Sequence, residues 1–364
     1  MHMRVKPDTE ILLEWYDEHK RTLPWRAMPG EYIDPYSVWL SEIMLQQTTV
    51  AAVIPYYEKF LSKWPTVGAL AGADLDEVLS YWAGLGYYAR ARNLHSCAKI
   101  VQKNYGGKFP ATQKELMALP GIGDYTSAAI TSIAFEKRAI VVDANIERVI
   151  ARVYGLDLPL PKIKTQIKKI ADELTPFRRF GDYAQGVMDL GSLVCKPRKP
   201  SCDICPWKVN CRAKSMKLVE VLPRKPPKRV KPTRYGVCFW VESPNGAVLV
   251  RKRPESGLLG GMLEIPSSTW QEVEWSHDDL SEADPISLDS CLGSVLPGII
   301  NHTFSHFNLK LEIHIRLLSG NFSTDIAVKG NYMWLGLSTL NNYAFPSVMK
   351  KVIRHVLQDR KLEN

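Results

Sequence analysis

The sequence predicts two domains of different class, an all-α domain followed by an α+β domain, joined by a basic, proline-rich linker. Three observations carry that reading. Apolar residues recur at steps of three and four from Thr9 to about Leu193, which is helical spacing. Beyond a stretch dense in proline and charge the period shortens to two, the spacing of strands. A chain of 364 residues is also too long for one ordinary core.

Along the chain, the helical pattern shows in Val38-Trp39-Leu40 to Phe60-Leu61, in Leu94 to Val101, and in Ile163, Ile167, Ile170 and Leu174. Stops fall at Asn104-Tyr-Gly-Gly and at Leu119-Pro-Gly-Ile-Gly, where glycine and proline end a helix. The helical region spans residues 1–216 and closes in a cysteine-bearing loop, 195–211. Residues 217–234 include Val221-Leu-Pro-Arg-Lys-Pro-Pro-Lys-Arg-Val-Lys-Pro, too rich in proline and charge for helix or core, and form the linker. In residues 235–364, strands are expected at Tyr235–Val241, Ala247–Val250, Leu309–Leu317 and Tyr332–Leu335, with a closing helix from Ser347 to about Gln358.

Composition narrows the class. Hydrophobic residues at 45% and charged residues at 23% exclude a largely disordered or fibrous chain. No run approaches the ~18 apolar residues of a membrane span, and Met1 to Asp8 lacks the apolar stretch of a secretory signal, so a cytoplasmic, reducing setting is expected. The net charge is +9, but residues 195–234 alone hold 13 basic and two acidic side chains, so the rest is slightly acidic. A local basic belt, with Lys196, Arg198, Lys199, Lys208 and Arg212 in the cysteine loop, suits a phosphate backbone.

Cys195, Cys202, Cys205 and Cys211 have the spacing C-x6-C-x2-C-x5-C. Four thiolates that close suit one metal centre in a reducing compartment, and spacing alone leaves zinc and iron–sulfur both open. Cys97, Cys238 and Cys291 lie among apolar neighbours and read as buried free thiols. In Leu119-Pro-Gly-Ile-Gly-Asp-Tyr-Thr, Gly121 and Gly123 precede an apolar helix, where backbone N–H groups and the helix dipole favour a phosphate. Eighteen residues after Tyr125, Asp143 stands at a predicted helix start in Val-Val-Asp-Ala-Asn.

Hairpin, aspartate and four-cysteine loop, in this order, resemble the helix-hairpin-helix DNA glycosylases of the endonuclease III class, whose cysteine loop carries a [4Fe–4S] cluster. Bifunctional members of that class have a lysine after the hairpin glycines that forms a Schiff base with the sugar; Tyr125 stands there in this chain. That substitution resembles the MutY family of adenine DNA glycosylases, which remove adenine mispaired with 8-oxoguanine or guanine in double-stranded DNA. Leu23-Pro-Trp-Arg26, Trp39-Leu-Ser-Glu-Ile-Met-Leu-Gln-Gln-Thr48, Trp82-Ala-Gly-Leu-Gly-Tyr-Tyr-Ala-Arg-Ala-Arg92 and Asn301-His-Thr-Phe-Ser-His306 agree with it. The resemblance implies a monofunctional, monomeric glycosylase with a [4Fe–4S] cluster on the four cysteines. Two other readings stay beside it, a bifunctional glycosylase/lyase and a non-enzymatic DNA-binding iron–sulfur protein.

The chemistry needs a proton for a poor leaving group and a negative charge beside an oxocarbenium-like sugar, so two carboxylates in unlike settings are expected. Glu42, among apolar neighbours, should stay protonated and act as the general acid. Asp143, at a helix N-terminus, should stay ionised and stabilise the cation. By resemblance Tyr125 and Asn145 complete the site, and Trp25, Arg26 and Gln185 line the base pocket. Gln47 and Tyr87 wedge the duplex as the base is flipped, and Thr48 and Leu85 sit beside the orphaned 8-oxoguanine. Seven residues separate Arg26 from Asp34-Pro-Tyr, more than the family pattern has. Ala144 replaces its usual glycine, which requires φ below zero.

Leu258-Leu-Gly-Gly-Met-Leu-Glu-Ile-Pro and Phe304-Ser-His306 resemble the MutT-like, Nudix-fold domain of these enzymes. Residues 271–290 lack the Gly-and-Glu pattern that hydrolysis needs. Phe304, Ser305 and His306 are therefore read as recognising 8-oxoguanine; a plain strand-connecting loop with a buried aromatic is the alternative.

Overall fold

The computed structural model describes the whole chain except residues 1–5, 29–30, 228–229, 256, 277–278, 281–292, 319–330 and 363–364. Part of the segment compared with a Nudix box, and Cys291, thus lie outside the described residues. Among the described residues of the first 216 there are twelve α-helices: α1 (Thr9–His19), α2 (Pro35–Leu45), α3 (Val50–Lys63), α4 (Val67–Ala71), α5 (Leu75–Trp82), α6 (Ala89–Tyr105), α7 (Gln113–Met117), α8 (Asp124–Ile133), α9 (Ala144–Val153), α10 (Leu160–Leu174), α11 (Phe180–Asp189), which runs on into a π-helical turn at Leu190–Val194, and α12 (Arg212–Ser215). No strand is present among the described residues of that stretch.

The helix starts are written in capping residues. Asp8, Asp34, Thr66, Asp74, Thr112 and Asp143 each accept backbone N–H groups of the first turn, which otherwise lack partners. Proline follows Asp34 at the first helical position, where its missing N–H costs nothing. The helix α2 is buried from Val38 to Met44, and α8 from Thr126 to Ile133, the latter rich in small residues that let α2, α7 and α11 approach it. In α10, Ile163, Ile167, Ile170 and Leu174 form the expected buried stripe.

Compactness divides the chain into residues 1–73 with 93–228, and residues 74–92 with 229–364. This differs from the expected boundaries at two places. Residues 74–92 group with the second unit, where Lys252 Nζ meets Asp76 at 2.9 Å. The stretch 217–234 is also not a free connector throughout. Leu222 is 1% exposed, Arg152 donates to its carbonyl, and Leu160 N donates to Arg224 O, so residues up to Arg224 are held on the helical unit by one buried leucine and paired backbone groups. Arg224 is moreover engaged by Asp157 at 2.6 Å.

The second unit is built on a six-stranded sheet: β1 (Thr233–Glu242), β2 (Ala247–Lys252), β3 (Leu263–Glu264), β4 (Ser294–Thr303), β5 (Asn308–Leu317) and β6 (Tyr332–Gly336). Its order is β3-β2-β1-β5-β4, with β6 also on β2; β1 and β5 run parallel and the other pairs antiparallel. In β1, Cys238 and Trp240 face one core, while Val237, Phe239 and Val241 face another, the period of two that the sequence shows. The first core is closed by the final helix α13 (Ser347–Leu362) through Val348, Val352 and Val356. Sequence reading misses β3 and β4. The first is only two residues long, and the second is interrupted by a register shift between Leu296 and Ile300 around Gly298 at φ +99°.

Candidate functional site

A cavity of about 760 Å³ opens in the helical unit. It is walled by α2, by the turn that follows it, by the hairpin 121–125, by the start of α9 and by α11. Eleven of the residues expected in the site line it: Trp25, Arg26, Glu42, Gln47, Thr48, Gly121, Gly123, Tyr125, Asp143, Asn145 and Gln185. They come from five separate stretches of chain, so their convergence is a result of folding.

Glu42 sits in the middle of the buried helix α2 and is 7% exposed. Burial pushes its carboxyl up to about 7; the Tyr125 hydrogen bond pulls the other way, the nearby Asp143 charge adds to the rise and the Arg26 charge opposes it. Its Oε2 is buried without a hydrogen-bond partner among the described residues. A carboxyl that holds its proton near neutrality, with one oxygen left uncommitted on a cavity wall, is equipped to donate. Tyr125 lies against it, and burial together with the two carboxylates lifts its hydroxyl well above its ordinary value, so it stays a neutral donor.

Asp143 is placed differently. It caps α9, Oδ1 accepting Ile146 N at 2.7 Å, while Oδ2 accepts the Asn145 amide at 2.7 Å. Ala144 is the first residue of α9 and is absent from the left-handed region, so its methyl is accommodated.

Arg26 lines the cavity but its guanidinium is committed, with Nη1 on Asp189 Oδ2 at 2.7 Å and Nη2 on Asp189 Oδ1 at 2.8 Å. Asp189 and Arg21, which also binds it, escape sequence reading. The available signal is an acid inside the apolar run Val187-Met-Asp-Leu, the same signal that marks Glu42. Trp25 is set edge-on to Tyr57 at 5.3 Å between centroids, and Gln185 donates to Gly181 O at 3.2 Å.

The hairpin glycines do different jobs. Gly121 has φ +78°, and a methyl on it would stand 2.9 Å from Asn93 Cβ. Gly123 caps α8 in an extended conformation and has nothing within 4 Å of an added methyl. Gly121→Ala should therefore cost about 1–2 kcal/mol of stability from the left-handed backbone alone. Gly123→Ala should change stability by less than about 1 kcal/mol, while weakening salt-sensitive DNA binding by obstructing the approach of a phosphate to the N–H groups. Thermal denaturation and binding titrations on the two variants separate these effects.

Leu85 and Tyr87 do not line this cavity. Leu85 is buried, and Tyr87 is half exposed at φ +50°; Gln47 is likewise left-handed, at φ +61°. Arg90 braces the turn, donating to Leu85 O and Gly86 O and lying over the Tyr87 ring at 5.6 Å. Non-glycine residues held in that region carry strain that recurs at functional sites.

The segment 304–307 is the tip of the β4–β5 hairpin. Phe304 is half buried, stacked on Phe307 at 4.7 Å and near Trp270, and its ring packs against the edge of the core. Ser305 and His306 are exposed, 3.2 Å apart at Oγ and Nδ1.

Cys195, Cys202, Cys205 and Cys211 line one small cavity together with Arg152, whose Nη1 reaches Cys195 Sγ at 3.3 Å. Among the described residues no three Cys, His, Asp or Glu side chains converge closely enough to hold a single metal ion. Four cysteine side chains around one shared space are a donor set that suits a thiolate-held metal centre.

Residues 40–176 match the HhH-GPD superfamily of base excision DNA repair proteins, and residues 237–355 match the NUDIX domain. The chain is 35% identical to an adenine DNA glycosylase of Rattus norvegicus, over 96% of this chain and 78% of that protein. It is 36% identical to an adenine DNA glycosylase of Homo sapiens, over 94% of this chain and 72% of the other. Among solved structures, a thermostable thymine-DNA glycosylase superposes with a TM-score of 0.52 at 32% identity, covering 57% of this chain and 95% of that one.

Proposed function

The chain belongs to the adenine DNA glycosylases of the HhH-GPD superfamily, and from that membership we propose that it excises adenine opposite 8-oxoguanine or guanine by means of Glu42 and Asp143. It is a base excision repair enzyme that cleaves an N-glycosidic bond in DNA. The observation that carries the mechanism is the pair of carboxyl groups lining one cavity, one buried and holding its proton, the other capping α9 and accepting two N–H groups.

Adenine enters the cavity flipped from the duplex, with Gln47 and Tyr87 filling the space it leaves. Glu42 passes its proton to a ring nitrogen of adenine, N7 being the site that leaves the sugar-bound nitrogen free to depart. As the C1′–N bond breaks, its electron pair stays with the base, and Asp143 faces the cation that develops on the sugar. Water then adds to C1′ and its proton passes to the carboxylate pair, restoring the acid form of Glu42 and leaving an abasic site. None of the cavity-lining residues is a lysine, and Tyr125 stands where a Schiff-base lysine would be needed, so the strand stays intact. The four cysteines would hold a [4Fe–4S] cluster, which would stiffen the basic loop against phosphates. Brown colour and visible absorbance, lost in Cys202→Ser, are expected of the purified protein.

Opposite-base reading is assigned to Thr48, Leu85 and the hairpin tip, with Phe304 anchoring Ser305 and His306. The test is adenine release from matched duplexes bearing 8-oxoguanine or guanine opposite adenine. The intact chain should prefer 8-oxoguanine. Ser305→Ala with His306→Ala should cut that preference by about tenfold, the scale of one lost hydrogen bond. Absence of adenine release from either duplex overturns the assignment of activity, and an unchanged preference overturns the role of the tip.

A further inference from the structure

Asp189 is fully buried at the junction of α11 with the π-helical turn Leu190–Val194, where an unpaired negative charge would be costly. Two cations offset that cost. Oδ1 accepts Arg21 Nε at 2.6 Å and Arg26 Nη2 at 2.8 Å; Oδ2 accepts Arg26 Nη1 at 2.7 Å and Arg21 N at 3.1 Å. Besides Asp189, the Arg26 guanidinium faces the Arg21 carbonyl at 3.2 Å, the Tyr16 ring at 5.9 Å, and the charge of Glu42. Tyr16 in turn feels Asp182 and Arg179, and Glu42 faces Tyr125, Asp143 and Arg26.

We propose that Asp189 is a positioning residue for the reaction: by occupying both arms of the Arg26 guanidinium it keeps that cation from pairing with Glu42, which thereby retains the proton that adenine must receive. The inference rests on the reading of Glu42 as the general acid. Arg26 lines the same cavity as Glu42, the one carboxyl besides Asp189 whose charge it feels, so an Arg26 released from Asp189 can turn to Glu42. A guanidinium–carboxylate pair in a poorly solvated cavity is strong and would hold Glu42 ionised. An ionised Glu42 has nothing to donate. The fork geometry of the observed pair, two parallel N–H···O bonds, leaves Arg26 near enough to temper Glu42 but not free to neutralise it.

The test is single-turnover adenine release with saturating full-length enzyme from about pH 5 to about pH 9, on wild type, Asp189→Asn, Arg26→Gln and the double variant. In Asp189→Asn the high-pH limb should move down by about one unit, so that release at pH 8 is about tenfold slower than wild type while the rates converge near pH 5. Removing Arg26 as well should return the limb to the wild-type position or above. A uniform loss at every pH, or a double variant whose limb stays displaced, overturns the proposal in favour of a purely structural role. If Asp189→Asn does not fold, Arg26→Gln decides alone, since Asp189 keeps Arg21: a limb above wild type supports the proposal, and one unchanged or lower overturns it. Glu42→Gln separates this from its premise. Should that variant keep the rate and the limb, the acid assignment itself fails, whatever Asp189 does.

Discussion

Glu42→Gln is expected to slow adenine release by about 10²–10⁴-fold at pH 7, the usual worth of a general acid, and at the same time to stabilise the fold at high pH. Both effects come from one cause. Burial of Glu42 in α2 raises its carboxyl to about 7 from an ordinary 4.5. The native state therefore binds a proton that the unfolded chain has released, and stability falls as pH rises from about 4.5 to about 7. Above that window the wild type carries a buried charge at a cost of about 3 kcal/mol. Glutamine has no proton to lose and keeps an oxygen for the Tyr125 hydroxyl. Urea denaturation at about pH 5 and about pH 8.5 should show the two proteins alike at the lower pH and the variant ahead at the higher. A variant that is less stable at both would show that Glu42 is held by interactions other than those that raise its pKa. In the wild type, adenine release should decline through about pH 7 as the acid form disappears.

Asp143→Asn should reduce adenine release by about 10³-fold, the scale of removing a preorganised electrostatic contact with a developing charge, while leaving the fold within about 1 kcal/mol of wild type. Asparagine is as good a helix cap as aspartate, and its oxygen can still accept Ile146 N. Its amide faces the Asn145 amide, whose oxygen is held by Arg148 Nη2 at 2.8 Å, so one hydrogen bond is lost there. What is lost is the negative charge opposite the sugar. Binding to duplexes bearing the mispair should persist, so a gel-shift at unchanged affinity beside a failed excision assay is the expected pair of results. Excision at the wild-type rate would mean that Asp143 acts only as a cap.

The two carboxylates were legible for different reasons. Asp143 announces itself locally, as a capping residue before an amphipathic helix, and its geometry is what capping chemistry dictates. Glu42 shows only as an acid in an apolar run. That signal is equally present at Asp189, and the two residues have opposite fates: one protonated in a buried setting whose nearby cation is committed elsewhere, the other ionised between two arginines. Periodicity could not tell them apart because Arg21 and Arg26 lie more than 160 residues from Asp189. The packing of Phe304 is a similar case, since its neighbour Trp270 comes from a distant loop.

By itself the sequence determined the helical and α+β halves, the helix starts, the hairpin glycines and the four-cysteine spacing. All of these are set by interactions reaching only a few residues along the chain: caps, turns, period and ligand spacing. Only the tertiary structure decided which carboxyl keeps its proton, where the Arg26 charge is spent, that Leu222 draws the basic stretch onto the helical unit, and that residues 74–92 group with the second unit. Desolvation and buried ion pairing depend on what is packed around a group from every direction, and those neighbours arrive from segments whose distance in sequence says nothing of their distance in space.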